Sequence, residues 1–151
     1  MADIVNVRSA TAADAAVVAR LQQDMARELG TAGEPGFVDR FAKTWLADLE
    51  RRPTWLAERD GRAIGVLILV VIDKLPWPGQ APGRWAHVSL VFVDQADRNA
   101  GVGHLLLGEM LAWAAANRVD RVQLNANPNS ARLYRKAGFD SAPARLMELR
   151  I

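Results

Sequence analysis

The chain of 151 residues is half apolar and 24% charged, the length of about one domain and the balance of a soluble globule rather than a disordered chain. Cysteine is absent and histidine occurs twice, which excludes a disulfide scaffold, a thiolate or His-rich metal centre and a cysteine nucleophile. The formal charge is only +2, and arginine supplies 16 of the 19 basic residues, interspersed with acids rather than gathered into a face for nucleic acid.

Residues 4–8 read as a short strand. Thr11 can cap a helix, with Asp14 three residues on in the manner of a capping box. Val17, Val18, Leu21, Met25 and Leu29 then recur at helical spacing until Gly30. After Pro35 and Gly36, the repeat Phe37, Phe41, Trp45, Leu49 predicts a second helix to about Arg52, which Pro53 ends. Residues 55–58 are strand-like, and Asp60-Gly61 is the strongest short hairpin signal. It leads into a long, mostly β-branched strand over 63–72. Residues 74–84 form a Pro- and Gly-rich loop, and 85–93 the next strand. A helix follows over about 101–117, then a strand over 121–125, a helix over 128–137 and a closing strand over 145–151. This order predicts an α/β fold, a mixed and mostly antiparallel sheet flanked by helices, as one domain over 1–151. No basic segment followed by an apolar run opens the chain, and no stretch reaches the ~18 apolar residues of a membrane span. The expectation is a cytoplasmic protein with no membrane partner.

The informative segment is the turn after Val93. A β-branched strand ends there, and Gly101 and Gly103 open an apolar helix that carries Leu105, Leu106, Met110 and Trp113. Free N–H groups and the positive end of the helix dipole make such a start an anion site. Three phosphate-binding designs compete for it. A Walker loop needs Gly-Lys-[Ser/Thr], but His104 and Leu105 follow Gly103. A dinucleotide fingerprint needs a third glycine and an acidic residue near the end of the next strand; Leu106 and Asn125-Ala126-Asn127 stand there instead. The third design is Arg-x-x-Gly-x-Gly, met as Arg98-Asn99-Ala100-Gly101-Val102-Gly103.

In that loop the chain resembles the GCN5-related N-acetyltransferase (GNAT) superfamily. A second block, Asn127-Pro128-Asn129-Ser130-Ala131-Arg132-Leu133-Tyr134-Arg135-Lys136-Ala137-Gly138-Phe139, is similar to the family's Asn-x-x-[Ala/Ser]-x-x-Leu-Tyr-x-x-x-Gly-Phe segment. Read on its own, Asn127 is a good N-cap, Pro128 suits the first helical position and Gly138 a helix stop. The order of elements resembles the family from end to end. The resemblance implies that acetyl-CoA lies in a splay between two parallel strands, 85–93 and 121–125. It implies further that backbone groups of Val91 and Val93 pair with the pantetheine arm. The N–H groups of Arg98, Asn99, Ala100, Gly101, Val102 and Gly103 would hold the pyrophosphate. Asn127 and Ser130 would bond to the pantetheine and sulfur end, and Tyr134 would protonate the departing thiolate.

The activity so implied is transfer of an acetyl group to a primary amine of a small-molecule or peptide acceptor. Direct attack in a ternary complex is the expected route, since no cysteine can carry an acyl group. An ammonium has no lone pair, so the acceptor needs a base. Many members place a Glu in the strand before the loop, and this chain has none there. His87 is the only ionisable side chain within that strand, and strict alternation puts it on the face of Ser89 and Val91. It reads as the base or as a structural histidine, and a water-relayed base or direct capture of the small free-amine fraction would also serve. His104 reads as a solvated first-turn residue. Trp45, Trp55 and Trp85 read as core or as acceptor-pocket walls. Trp77, in Pro76-Trp77-Pro78, reads equally as a pocket wall, a homodimer contact or a loop anchor. A non-catalytic acyl-CoA-binding module and a Rossmann-like dinucleotide binder are the alternatives.

Overall fold

Asp60 and Gly61 take φ values of 51° and 75°, the left-handed pair that a two-residue hairpin turn requires. They fold β2 (Thr54–Arg59) antiparallel onto β3 (Arg62–Asp73). The computed structural model describes residues 4–142 and 145–151, so the first three residues of the segment read for a leader lie outside it. On one side of the hairpin, β1 (Asn6–Ser9) pairs antiparallel with β2. On the other, β4 (Arg84–Val93) runs antiparallel to β3 and β5 (Val119–Gln123) parallel to β4. Sheet order therefore follows chain order, β1-β2-β3-β4-β5. The mixed α/β architecture expected from the sequence is present.

Helices α1 (Ala15–Glu28) and α2 (Phe37–Ala47) cover one face of the sheet. There Val18, Leu21 and Trp45 pack on Leu56, Val66, Ile68, Leu90 and Phe92. Helix α3 (Val102–Ala116) covers the other, laying Val102, Leu106, Leu107 and Met110 on Trp55, Leu67, Leu69 and Val88. The short α4 (Ala131–Lys136) follows β5, and its Leu133 and Tyr134 pack at the margin of that second cluster. Each fully buried Leu contributes roughly 1.5–3 kcal/mol, so two filled faces hold the layers together. Trp45 and Trp55 are core; the Trp45 Nε1–H donates to Thr54 Oγ1 at 3.1 Å, and Trp55 meets Trp113 edge-on. Trp77 is 69% exposed.

Several elements differ from the sequence pattern. Helix α2 stops at Ala47 and the chain continues as a 3-10 turn, Leu49–Arg51, because Asp48 leaves helical geometry at φ −136°. Strand β5 starts two residues early, because Arg118 takes φ 57° and turns the chain sharply out of α3. The closing strand expected over 145–151 is not formed. Its Leu146, Met147, Leu149 and Ile151 are all exposed. Alternating apolar residues describe a segment able to pair; only a neighbouring edge makes it a strand.

The turn into α1 is pinned by charge. The Thr11 N–H donates to Asp14 Oδ2 at 2.7 Å, closing the expected box. Arg8 of β1 spans Asp14, at 2.8 and 2.9 Å, and Glu58 of β2. Hydrogen bonding from Arg8 lowers the buried Asp14 carboxyl from 3.8 to about 2. A carboxylate held below its unfolded value stabilises the fold fully above about pH 4, and that contribution fades as pH falls toward 2. Asp14→Asn should therefore lower the melting temperature by roughly 2–8 °C at pH 6. The gap from wild type should close in melting curves taken toward pH 2.

Candidate active site

Pairing between β4 and β5 is brief. It runs from Arg84 opposite Val119 to His87 opposite Gln123 and then ends. Residues 88–93 continue along β3 with no β5 partner. His87 thus marks the apex of a V between parallel strands, and Val91 and Val93 lie along its open β4 arm, half-buried. The parallel pair expected from the sequence is present, with β5 paired from its first residue to its last but only along the first four residues of β4.

Alternation fails within β4. Leu69 faces Val88 and Ile68 faces Leu90, so Ser89 is an extra residue with no opposite number. Its hydroxyl donates to Ile68 O at 3.2 Å. Such a bulge bends the strand and inverts the side-chain phase beyond it. Ala86 and Val88 face α3, whereas Leu90 and Phe92 face α1. His87 consequently lies on the α1 side of the sheet, while Val91 and Val93 pack toward α3. The expectation that His87 shares a face with Val91 is corrected by that one inserted residue.

The loop from β4 to α3 closes the mouth of the V. It passes through a 3-10 turn, Gln95–Asp97, and places Asn99 at φ 61° and Gly101 at φ 82° before α3 begins. The first α3 amide bonded back within the helix is that of Leu105, to Gly101 O at 3.0 Å. The N–H groups of Val102, Gly103 and His104 precede it and have no carbonyl one turn earlier in the helix to receive them. With the helix dipole, they form a donor set suited to an anion. His104 itself is exposed, as expected.

The two glycines serve different purposes. A Cβ on Gly101 would meet open space, and only its left-handed φ demands glycine. A Cβ on Gly103 would stand 3.1 Å from Leu133 Cδ2 of α4. Gly103 therefore lets α4 approach α3, in addition to any access it gives a ligand. Gly65 does the same for the sheet, since its Cβ would meet Phe92 O, Leu106 and Val102 at 3.2–3.4 Å. These close approaches seat α3 on the sheet and α4 on α3.

Several ion pairs fix that loop from outside. The Arg98 guanidinium donates from Nε to Val93 O at 2.9 Å, pairs with Glu28 at the end of α1 and stacks 5.6 Å from the Phe92 ring. Its side chain is thus engaged with the protein. Arg62 holds Asp94 at 2.9 Å, and the Asp94 N–H donates to Ile64 O at 2.8 Å. Burial pushes the Asp94 carboxyl above its ordinary range, with Arg62 and Arg20 pulling it back. Arg59 pairs with buried Asp97. Glu28, Arg59, Arg62, Asp94 and Asp97 were invisible as a set, because the pairs join residues 32 to 70 positions apart.

Across the V, Asn127 Oδ1 accepts from the Ser130 N–H and hydroxyl, both at 3.0 Å. The helix expected from Pro128 with Asn127 as its cap begins instead at Ala131, with Ser130 at the N-cap position, and Asn127 closes the turn over 128–130 that precedes it. Tyr134 lies one turn beyond Ser130, half-buried, with its ring edge-on to Phe139 at 5.9 Å. Burial raises the Tyr134 phenol above its usual value, with the Ser130 hydroxyl acting the other way. At neutral pH it is a neutral O–H donor.

A sequence model of the acetyltransferase (GNAT) family matches residues 18–139, and the chain belongs to that family. A glucosamine 6-phosphate N-acetyltransferase of Trypanosoma brucei brucei is 28% identical over 99 residues, 62% of this chain and 65% of that protein. The matched part is thus just under two thirds of the relative's length. A predicted acetyltransferase of Clostridium acetobutylicum, solved with acetyl-CoA, has a TM-score of 0.82 at 18% identity, covering 97% of this chain and 96% of that one. The glucosamine-6-phosphate N-acetyltransferase of Arabidopsis thaliana has a TM-score of 0.76 at 13% identity, over 97% and 99% of the two chains. At such identities the shared property is the fold.

The contact between α3 and α4 can be tested directly. Gly103→Val would drive a branched side chain against Leu133, an overpacking that costs about 1–3 kcal/mol. Thermal melting should show the loss. An undiminished melting temperature would mean that α4 yields freely.

Proposed function

We propose that the protein is an acetyl-CoA-dependent N-acetyltransferase that acts on a primary amine. The observation that carries this reading is a helix with free N–H donors, opening at the mouth of a V between parallel strands. In it the amides from Asn99 to Gly103 receive the pyrophosphate, the Arg98 N–H being bonded to Gln95 O at 3.4 Å, and the unpaired arm of β4 at Val91 and Val93 bonds the pantetheine amides as a strand would. Asn127 and Ser130 flank the sulfur end. Among acceptors, small amines suit the reading, and an amino-sugar phosphate belongs in the first panel because of the two named relatives.

The reaction needs two proton movements. The acceptor must lose a proton before its nitrogen attacks the thioester carbonyl. His87, at the apex of the V, or a water in its stead, takes that proton. The tetrahedral intermediate then collapses, the C–S bond breaks, and the sulfur takes the electron pair. The Tyr134 phenol, kept protonated by its burial, supplies the proton or hydrogen bond that the thiolate needs. No covalent acyl-enzyme enters, since the chain has no cysteine.

CoA and acetyl-CoA should raise the melting temperature by mass action, and ATP and NAD far less. Equal shifts from all of them, or none from CoA, would reject the cofactor assignment. Stabilisation by CoA with no thiol release on any amine would instead leave a binding module.

Tyr134→Phe keeps the ring against Phe139 and removes only the donor. Turnover should fall at least about tenfold, a barrier rise of about 1.4 kcal/mol, with acetyl-CoA affinity and melting nearly unchanged. Activity within twofold of wild type would make Tyr134 a packing residue.

A further inference from the structure

The end of the β2–β3 hairpin presents an unusual juxtaposition. Arg59 and Arg62 face each other in register across the two strands. Like charges placed directly opposite in a sheet repel. Each guanidinium is answered by a carboxylate from the β4–α3 loop, Arg59 by Asp97 and Arg62 by Asp94. The loop backbone is bonded to the same hairpin, where the Asp94 N–H donates to Ile64 O. Ile64 is the extra residue where Ala57 pairs with Gly65 and Glu58 with Ala63. The hairpin end is therefore a fitted seat for the loop.

Within that seat the two pairs differ. The carboxylates are both largely buried, Asp94 at 13% and Asp97 at 9% exposed, but the Arg62 side chain is 69% exposed and that of Arg59 only 25%. Solvent screens the exposed pair, so loss of Arg59 strands its carboxylate more completely than loss of Arg62 would. Asp97 also stands four residues before Gly101, beside the donors proposed to meet an anion. Left bare, its charge would oppose that anion; paired with Arg59, it is neutralised.

We infer that Arg59 and Asp97 are positioning residues for the anion-binding loop. They set the aim of the first-turn amides of α3 and cancel a local negative charge, without touching the ligand. The inference rests on the proposed function, because it concerns how that loop meets pyrophosphate. It assigns to β2, which lies across β3 from β4, a share of cofactor affinity.

The test compares CoA with pantetheine, which has the same arm and thiol but no pyrophosphate. Wild type should bind CoA much more tightly than pantetheine. Arg59→Met should weaken CoA binding at least tenfold, equivalent to about 1.4 kcal/mol, and leave pantetheine within twofold. Adding Asp97→Asn to Arg59→Met should recover part of the CoA affinity by removing the stranded charge. Should Arg59→Met not fold, Arg59→Lys, which keeps the charge but not the fork, should weaken CoA selectively by about threefold. Loss of thermal stability with an unchanged ratio of CoA to pantetheine affinity would reduce the pair to a structural role and overturn the inference. A wild type that binds both ligands equally would overturn it differently, by removing the loop assignment beneath it.

Discussion

Strand β4 is bonded to β3 along its length but to β5 over four residues only. From Val88 onward, one edge of a central strand has no neighbour, although side chains on both of its faces are packed. Backbone donors and acceptors in such a place must find partners, because an unpaired one costs about as much as a lost hydrogen bond. The open edge is therefore both the weak point of the sheet and a place where an extended, amide-bearing ligand can complete it. The arrangement of α3, α4 and the loop between β4 and α3 follows from having to frame that gap.

Framing it requires close backbone approach and firm anchoring together. Gly65 admits the first turn of α3 onto the sheet, and Gly103 admits α4 onto α3. Neither contact by itself fixes the preceding loop, whose residues are mostly exposed. Charge does that instead, through Arg59, Arg62 and Arg98, which draw on β2, β3 and α1. Rigid donors lose less entropy when a ligand arrives, which is the physical advantage of setting the loop beforehand.

The sequence was most legible where a feature is local. Asp60-Gly61 specified its turn, and Thr11 and Asp14 their box. The Arg98–Gly103 loop and the Asn127–Phe139 block brought the fold into view because their spacing is short and chemically distinctive. The Ser89 bulge was not legible, since one inserted residue leaves the apolar pattern of β4 looking continuous. Strand pairing over 145–151 was not legible either, because alternation says nothing of a partner edge. The ion pairs around the loop lay beyond reach for the same reason, as sequence distance hides them. Gly103 was half legible: its place beside the loop was evident, its contact with Leu133 was not.

The choice of cation throughout the molecule has a chemical consequence. Every ion pair among the described residues uses arginine. The three lysines, Lys43, Lys74 and Lys136, are exposed and take part in none of them. A lysine amine that loses its proton is itself an acyl acceptor, and once acylated it no longer carries charge. A guanidinium stays protonated at any physiological pH and offers no such nucleophile. Under the proposed function, stray acylation by a thioester would fall on solvent-facing amines such as these lysines and leave the arginine ion pairs of the described residues intact.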